Sequence, residues 1–326
     1  MTKRPTIADV AEVSGVSKAT VSKALNHPDT CEISPDTIAR VQAAAEQLGY
    51  APRGRGITVV RRIAVVSGSP APVTSGAFAG FLDALMRAAL GHDLQVQLVP
   101  AIDTLARFEQ DLAASRIEGV IVSDPMPDQL DVYLAQRRLP TVLVNQYSDQ
   151  RLSQLRPDDR SLMASLYDHL VALGHRRIAY IQRERYGYHP SESIRRAAFE
   201  DMCLRNDIPV RECIGPYGAL TENLGDATAA VVYNGHDALE LLTELRQRSV
   251  RVPRDLSLAC FDDTDATALI TPALTCAAVR GRDMAMRAVE LLVRQFRGDT
   301  DPVLEHLDGP LVVRASTGPC VTSNDM

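Results

Sequence analysis

From Arg62 onward the chain alternates short β-branched runs with amphipathic stretches of helical periodicity. The runs are RIAVVS, LQVQLV, GVIVS and TVLVN, then RIAYI, ECIG, AAVVY and LSLACF. Stretches such as FAGFLDALMRAALGH and LMASLYDHLVALGH separate them. Strand followed by helix, repeated, builds a parallel sheet covered by helices on both faces. The pattern predicts two such α/β lobes and a ligand cleft where the carboxyl ends of their strands face each other.

The first fifty residues are patterned differently, as three short helices. Thr6 and Asp9 are spaced as a capping box, and Gly15 permits a tight turn after a helix of about two turns. Ser17 is a suitable N-cap for a second helix, and Ser34, followed by proline, for a third. Helix, short turn and helix predict a helix-turn-helix headpiece, in which the second helix lies in the major groove of DNA.

The distribution of charge agrees with a nucleic-acid contact at this end. All three lysines of the chain, Lys3, Lys18 and Lys23, lie within its first 23 residues. Residues 1–62 carry nine Lys or Arg against six acids, a net charge of +3. The formal net charge of the whole chain is −6, so the remaining residues carry −9. The phosphate backbone rewards local positive charge. The alternative is an ordinary three-helix bundle with solvated lysines.

Side chains of the second helix are the candidate DNA contacts. Those placed to reach base edges are Lys18, Ala19 and Lys23. The short polar groups placed to hold phosphates are Ser17, Thr20, Ser22 and Asn26.

The segment TIADVAEVSGVSKATVSKALN, with the later LGYAP, resembles the headpiece of the LacI/GalR (lactose-repressor) family of bacterial transcription regulators. The resemblance implies that Lys18, Ala19 and Lys23 read bases and that Thr20 and Asn26 contact phosphates. The family usually has arginine at the position of Lys23. Because lysine lacks the bidentate guanidinium fork, we expect a different or less sharply read half-site.

The linker departs from the family pattern. Tyr50 and the proline two residues later are followed by RGRGITVVRR, about one helical turn shorter than the usual hinge segment and without its leucine wedge. The two glycines disfavour a helix. Three alternatives stay open: a flexible linker, an apolar wedge from Ile57 or a following valine, and an arm in which Arg53 and Arg55 enter the minor groove. Tyr50, Arg53 and Arg55 complete the candidate DNA contacts.

Four later segments, LVALGHRRIAYI, VRVPRDLSLACFDD, LITPALT and GPLVVRASTGP, resemble the periplasmic-binding-protein-like core of the same family. The resemblance implies that the chain crosses twice more between the lobes, with a helix around 282–297 in the first and a strand around 310–315 in the second. The predicted domains are a headpiece at 1–50, a linker at 51–62, a core at 63–320 and a tail at 321–326. Within the core, lobe 1 spans about 63–157 and 280–304, and lobe 2 spans about 158–279 and 305–320.

Polar residues at strand ends are the candidate effector contacts. The positions that match the family pattern are Asn145, Arg195, Asn234 and Asp262, and Tyr217 supplies an aromatic face in a chain without tryptophan. Two amides, a guanidinium and a carboxylate suit a polyhydroxylated, sugar-like ligand, since each hydroxyl both donates and accepts. Each residue also has a structural alternative: a cap for Asp262, a turn for Asn234, a solvated helix charge for Arg195 and a surface side chain for Tyr217.

Departures from the family weaken the prediction of a ligand. Gly235 stands where the family has aspartate after asparagine, and Val279 and Arg280 replace a glutamine-proline pair. The segment from Gly215 to Asn234 is shorter than usual, which predicts a truncated covering helix.

Other classes of function lack their signatures. No run reaches the roughly 18 apolar residues of a membrane span, the N-terminus does not read as a signal peptide, and we expect a cytoplasmic protein. The six cysteines are scattered without metal-site spacing, which predicts reduced thiols and no metal. No catalytic or phosphate-binding motif appears, so we expect neither an enzyme nor a cofactor.

The leading hypothesis is a homodimeric repressor whose headpieces read an inverted repeat in double-stranded operator DNA, controlled by a ligand in the cleft. The tail has no leucine heptad, so a coiled-coil tetramer is not expected. One alternative is a DNA-binding regulator without an effector. The other is a solute-binding receptor, which would have a signal peptide and no helix-turn-helix.

Overall fold

The computed structural model describes residues 6–26, 33–48, 60–67, 76–100, 105–123, 129–184, 189–215, 221 and 224–321. The chain divides into two compact units, Met1–Val60 and Arg61–Met326. Among the described residues, no helix is both long and apolar enough to cross a membrane.

The first unit contains the three predicted helices: α1 (Ile7–Ser14), α2 (Lys18–Asn26) and α3 (Pro35–Gln47). Helix α1 begins as the sequence predicts, because the Asp9 carboxylate accepts a hydrogen bond from the Thr6 backbone N–H at 2.6 Å. The three helices pack around a small apolar core formed by Val10, Val21, Ala24, Val41, Ala44 and Ala45.

In the described part of the first lobe, a six-stranded parallel sheet has the order β11-β5-β4-β3-β1-β2. The strands are β1 (Arg61–Ser67), β2 (Leu94–Pro100), β3 (Gly119–Ser123), β4 (Thr141–Val144), β5 (Ser153–Pro157) and β11 (Leu304–Leu307). The helices are α4 (Gly76–Leu90), α5 (Leu105–Ser115), α6 (Leu130–Gln136) and α11 (Gly281–Phe296). Helices α4 and α11 cover one face, whereas α5 and α6 cover the other.

The second lobe repeats this plan, and its described residues form a sheet with the order β12-β10-β9-β8-β6-β7. All its strand pairs are parallel except that of β12 with β10. The strands are β6 (Ile178–Arg183), β7 (Glu212–Gly215), β8 (Ala229–Val232), β9 (Ser257–Phe261), β10 (Thr275–Ala277) and β12 (Leu311–Val312). Helices α7 (Asp159–Ala172) and α8 (Pro190–Arg205) cover one face, and α9 (Gly235–Gln247) covers the other, with the short α10 (Asp265–Leu269) beside β9.

The prediction of two doubly wound parallel sheets is therefore confirmed, with three differences in detail. Each sheet has strands that were not predicted, β5 and β11 in the first and β10 in the second, whereas β12 lies within the predicted 310–315. Strand β1 begins at Arg61, inside the stretch expected to be linker. Strand β11 pairs with β5 in the first sheet, so the chain returns to the second lobe after Leu307 and not at about 305 as predicted. Between β7 and β8 the structure describes only residues 221 and 224–228, so the predicted truncation of a covering helix lies largely outside the described residues.

Candidate functional site

The turn between α1 and α2 holds the second helix at a fixed angle to the first. Gly15 ends α1 with a φ of 67°, and its N–H donates to the Ala11 carbonyl. The Val16 N–H donates to the same carbonyl at 3.2 Å. Ser17 then caps α2, because its Oγ accepts a hydrogen bond from the Thr20 N–H at 3.1 Å.

One side of α2 is exposed while the other anchors the helix. Val21 and Ala24 are fully buried, and Lys18, Ala19 and Lys23 are exposed. Successive residues of a helix are about 100° apart around its axis. An arc of about 140° around the α2 axis therefore contains Lys18, Ser22, Ala19 and Lys23. The two ammonium groups thus share one face, which we name the recognition face and define by these four residues.

Several predicted DNA contacts have other partners or are not described. The Ser17 and Thr20 hydroxyl oxygens lie 2.8 Å apart and hydrogen-bond to each other while capping the helix. Asn26 is the last residue of α2, but its side chain is not among those described. Tyr50, Arg53 and Arg55, together with nearly all of the predicted linker, lie outside the described residues.

In the core, two of the predicted effector residues occupy equivalent strand ends in the two lobes. Asn145 follows β4 with a φ of 54°, and Asp262 follows β9 with a φ of 70°. Each backbone N–H donates to the next strand, Asn145 to Leu155 at 2.8 Å and Asp262 to Ala277 at 3.1 Å. The left-handed backbone conformation is unfavourable for residues with a Cβ, and residues that adopt it cluster at functional sites.

Asn145 joins the two lobes through hydrogen bonds to the start of α8. Its amide group lies 3.2 Å from His189 Nε2 and 3.2 Å from the Ser191 Oγ. The Ser191 N–H donates to His189 Nδ1 at 3.2 Å, and the Tyr233 hydroxyl lies 3.2 Å from the same nitrogen. The Asn145 Nδ2 faces His189 Nε2, and the Asn145 Oδ1 accepts a hydrogen bond from the Ser191 hydroxyl.

Arg195 lies beneath this interlobe contact and is almost completely buried. Its Nε donates to Asp159 Oδ1 at 2.7 Å, and its Nη1 donates to the Tyr233 carbonyl oxygen at 2.7 Å. The guanidinium carbon lies 4.0 Å from the centre of the Phe261 ring. Burial lowers the pKa of Arg195, but the Asp159 and Asp262 carboxylates contribute to a net upward shift. The alternative of a solvated helix charge is therefore wrong for Arg195.

The remaining predicted effector residues are placed differently. Asn234 is buried and caps α9, since its Oδ1 accepts a hydrogen bond from the Asp237 N–H at 2.7 Å. This helix cap differs from the turn given as the structural alternative for Asn234, and it occupies the side-chain oxygen. Tyr217 lies outside the described residues.

Sequence reasoning missed His189, Ser191, Tyr233 and Asp159 in this cluster. The sequence His-Pro-Ser at 189–191 was a local signal for His189 and Ser191, because proline at the first helical position marks the start of a helix. The N-terminal cap of this helix faces the strand ends. Asp159 carried no such signal, since its partner Arg195 lies 36 residues away in sequence. No group of three or more metal-ligating side chains occurs among the described residues.

Both the headpiece and the core match known protein families. Residues 6–53 match the model of bacterial regulatory proteins of the lacI family. Residues 63–205 match periplasmic binding proteins and the sugar-binding domain of the LacI family, and residues 167–317 match a periplasmic-binding-protein-like domain. The HTH-type transcriptional regulator reg1 of Streptomyces lividans is 32% identical over 95% of this chain and 96% of its own length.

The chain belongs to the LacI family. Like reg1, it is an HTH-type transcriptional regulator. Its fold is also that of solved members. The lac repressor dimer bound to operator and the anti-inducer ONPF matches with a TM-score of 0.72 at 23% identity, covering 97% of this chain and all of that one. A complex of the transcriptional regulator CelR with cellobiose matches with a TM-score of 0.69 at 24% identity, covering 96% and 100%.

Two departures of this LacI-family chain from the family pattern have a structural reason. A Cβ on Gly235 would lie 2.8 Å from Thr267 Cγ2 and 3.0 Å from the Asp262 carbonyl oxygen, so α9 approaches the end of β9 more closely than an aspartate permits. Val279 packs against the apolar clusters of both lobes, and Arg280 precedes α11 with an ion pair to Asp283 at 3.6 Å. The crossing between the lobes is thus held by apolar packing.

Proposed function

We propose that this LacI-family regulator represses transcription in the cytoplasm as a homodimer that binds an inverted-repeat operator, under the control of a small polyhydroxylated effector held between its two lobes. The observation that carries the proposal is the recognition face of α2, where two lysines flank a small side chain on the exposed side of a helix that buries Val21 and Ala24. In such motifs the N-terminal residues of the second helix contact base edges.

The recognition face also predicts how the site is read. Lys18 and Lys23 each carry a compact ammonium group, which donates to guanine O6 and N7 as a point charge and not as a planar fork. Ala19 offers a methyl group to a thymine methyl. Ser17 and Thr20 remain phosphate contacts in this proposal, together with the N-terminus of α2.

The effector half of the proposal is supported by the strand ends. Asn145 and Asp262 occupy left-handed conformations at equivalent carboxyl ends of β4 and β9, the edge at which α/β sheets bind ligands. Their amide and carboxylate groups suit hydroxyl groups of a ligand. Solved structures of this fold carry ligands, cellobiose in the CelR complex and the anti-inducer ONPF in the lac repressor complex.

A ligand panel on the full-length protein tests this half. We expect one mono- or disaccharide of a panel to raise the melting temperature and to change operator affinity measured by fluorescence anisotropy. At a ligand concentration about 100 times the Kd, the stabilisation is about 2.7 kcal/mol. In Asp262→Ala we expect the ligand response to be lost and operator binding without ligand to remain.

Asp265→Ala is the matched control, because it removes the same charge from an exposed residue of α10 three positions away. Its ligand response should be that of the wild type. An unchanged ligand titration in folded Asp262→Ala would remove Asp262 from the site.

A second candidate function, a DNA-binding regulator without an effector, is favoured by one observation. The polar groups that would hold a ligand already bond to protein: Asn145 to His189 and Ser191, and Arg195 to Asp159. If this function is correct, no panel ligand changes the melting temperature, and Asn145→Ala alters operator affinity directly by weakening contact between the lobes.

A further inference from the structure

Two buried cysteines lie side by side in the second lobe, although 16 residues separate them in sequence. Cys260 in β9 and Cys276 in β10 are register partners of neighbouring parallel strands. Their Sγ atoms are 3.4 Å apart, and neither residue is exposed. Both thiols are free and buried, as predicted, but the fold brings these two together.

The surroundings of the two sulfur atoms differ. The Arg314 Nη1 donates to Cys276 Sγ at 3.8 Å, while the same guanidinium is held by the Leu274 carbonyl at 2.9 Å and the Asp263 carboxylate at 2.7 Å. The hydrogen bond between the thiols raises the pKa of Cys260 and lowers that of Cys276, whereas burial raises both. Cys276 is thus the sulfur that loses its proton first, and Cys260 is the donor that supports its thiolate.

We propose that Cys260 and Cys276 form a dithiol–disulfide couple that hydroperoxides oxidise. Neighbouring strands lie about 4.8 Å apart, within the Cα separation of about 4.4–6.8 Å that a disulfide spans. Closing the sulfur atoms from 3.4 Å to a bond of about 2.05 Å requires a movement of less than 1 Å by each, within the reach of side-chain rotation.

A soft metal ion held by both sulfurs fits the pair less well. Metal–sulfur bonds of about 2.3 Å in tetrahedral geometry place two thiolates about 3.8 Å apart, and such a site needs further ligands. No group of three or more metal-ligating side chains occurs among the described residues. The missing ligands therefore favour a bond between the thiols.

The oxidation balances with the hydroperoxide as the two-electron oxidant. The Cys276 thiolate attacks one peroxide oxygen, the S–O bond forms, the O–O bond breaks, and an alcohol, or water from hydrogen peroxide, leaves after taking up a proton. The Cys260 thiol then attacks the Cys276 sulfur, the S–S bond forms, the S–O bond breaks, and water leaves with the Cys260 proton. A dithiol reductant returns the couple to two thiols by thiol–disulfide exchange and is itself oxidised to a disulfide.

The pair adjoins the proposed effector site. Asp262 follows Cys260 by two residues, and its N–H donates to Ala277, the residue after Cys276. Arg314, which donates to Cys276 Sγ, and its ion-pair partner Asp263 have side chains 19% and 26% exposed. In this proposal the oxidant reaches the sulfur when their ion pair is displaced. A cross-link would hold the two strands together where Asp262 emerges, and this effect on ligand response rests on the proposed function.

Mass mapping of the full-length wild-type protein tests the couple without DNA or effector, so its outcome does not depend on the proposed function. The reduced, folded protein is exposed to hydrogen peroxide, unfolded, alkylated and digested. We expect the loss of two alkylatable thiols of the six, a peptide pair joined through Cys260 and Cys276, and recovery of both thiols with dithiothreitol.

Cys203→Ala is the matched control, because Cys203 is also fully buried but packs in a different apolar cluster. It should lose the same two thiols, whereas Cys276→Ala should retain an alkylatable Cys260. The proposal is overturned if both thiols of the wild type remain alkylatable after peroxide, if either is joined to another cysteine, or if either is converted to a sulfinic acid. The wild-type map decides the question even if a variant does not fold.

Discussion

Removing the charge of Arg195 should destabilise the core strongly, because its partner Asp159 is buried with it. Their side chains are 4% and 0% exposed and their atoms 2.7 Å apart. At an effective dielectric constant of about 20, two unit charges at this distance attract by about 6 kcal/mol. Desolvation offsets much of this, but deleting one partner leaves the other charge uncompensated, at a cost of about 3–5 kcal/mol. Arg195→Met tests this while keeping an unbranched side chain against Phe261.

Urea unfolding followed by circular dichroism measures the free energy of unfolding. Arg196→Met is the control, since the neighbouring Arg196 is 47% exposed and pairs at 2.6 Å with Glu212, whose side chain is 16% exposed, so its loss should be about 1 kcal/mol and well below that of Arg195. A double variant, Arg195→Met with Asp159→Leu, should be more stable than Arg195→Met alone. Equal losses in Arg195→Met and Arg196→Met, or a double variant that loses the sum of both single variants, would refute the reasoning.

Three further predictions concern single residues. Gly15→Ala should lower headpiece stability by about 1–2 kcal/mol in thermal melts because φ there is 67°, whereas Gly15→Asn should lose less, since asparagine tolerates this conformation. Gly235→Ala should destabilise the core by about 1–3 kcal/mol through contact with Thr267, and an added Thr267→Ser should restore part of this in urea unfolding. Burial lowers the pKa of His175, so the stability that its neutral form contributes should be lost as pH falls below about 6.5; urea unfolding of His175→Gln should show a shallower pH dependence than that of the wild type.

The sequence predicted strands that are continuous apolar runs, such as β3 and β4, and missed β5, which buries polar side chains. GVIVS and TVLVN were recognisable because every residue of β3 and β4 is buried in a sheet covered on both faces. Strand β5 reads SQLRP, and its burial depends on partners distant in sequence: Ser153 Oγ accepts hydrogen bonds from the Gln295 side chain and from the Val303 N–H. Such partners are set by the tertiary fold, which local periodicity does not report.

The candidate site was predictable to the same extent. Asn145 and Asp262 were found because a polar residue ending an apolar strand lies at the sheet edge where ligands bind. The contact of Asn145 with His189 joins residues 44 positions apart across the two lobes, and no local pattern connects them. The exposure of Lys18, Ala19 and Lys23 on α2 followed from helical periodicity, whereas their contact with DNA stays a prediction.

Selection of purified protein on a random duplex library, at two salt concentrations, tests the central claim most directly, with Lys18→Ala selected in parallel. We expect the wild type to enrich an inverted repeat, and Lys18→Ala to relax the preference at one position of each half-site at a cost of about 1–3 kcal/mol. Only weak binding without sequence preference, abolished by salt and weakened evenly by Lys18→Ala, would contradict the assignment of α2 as the helix that reads DNA.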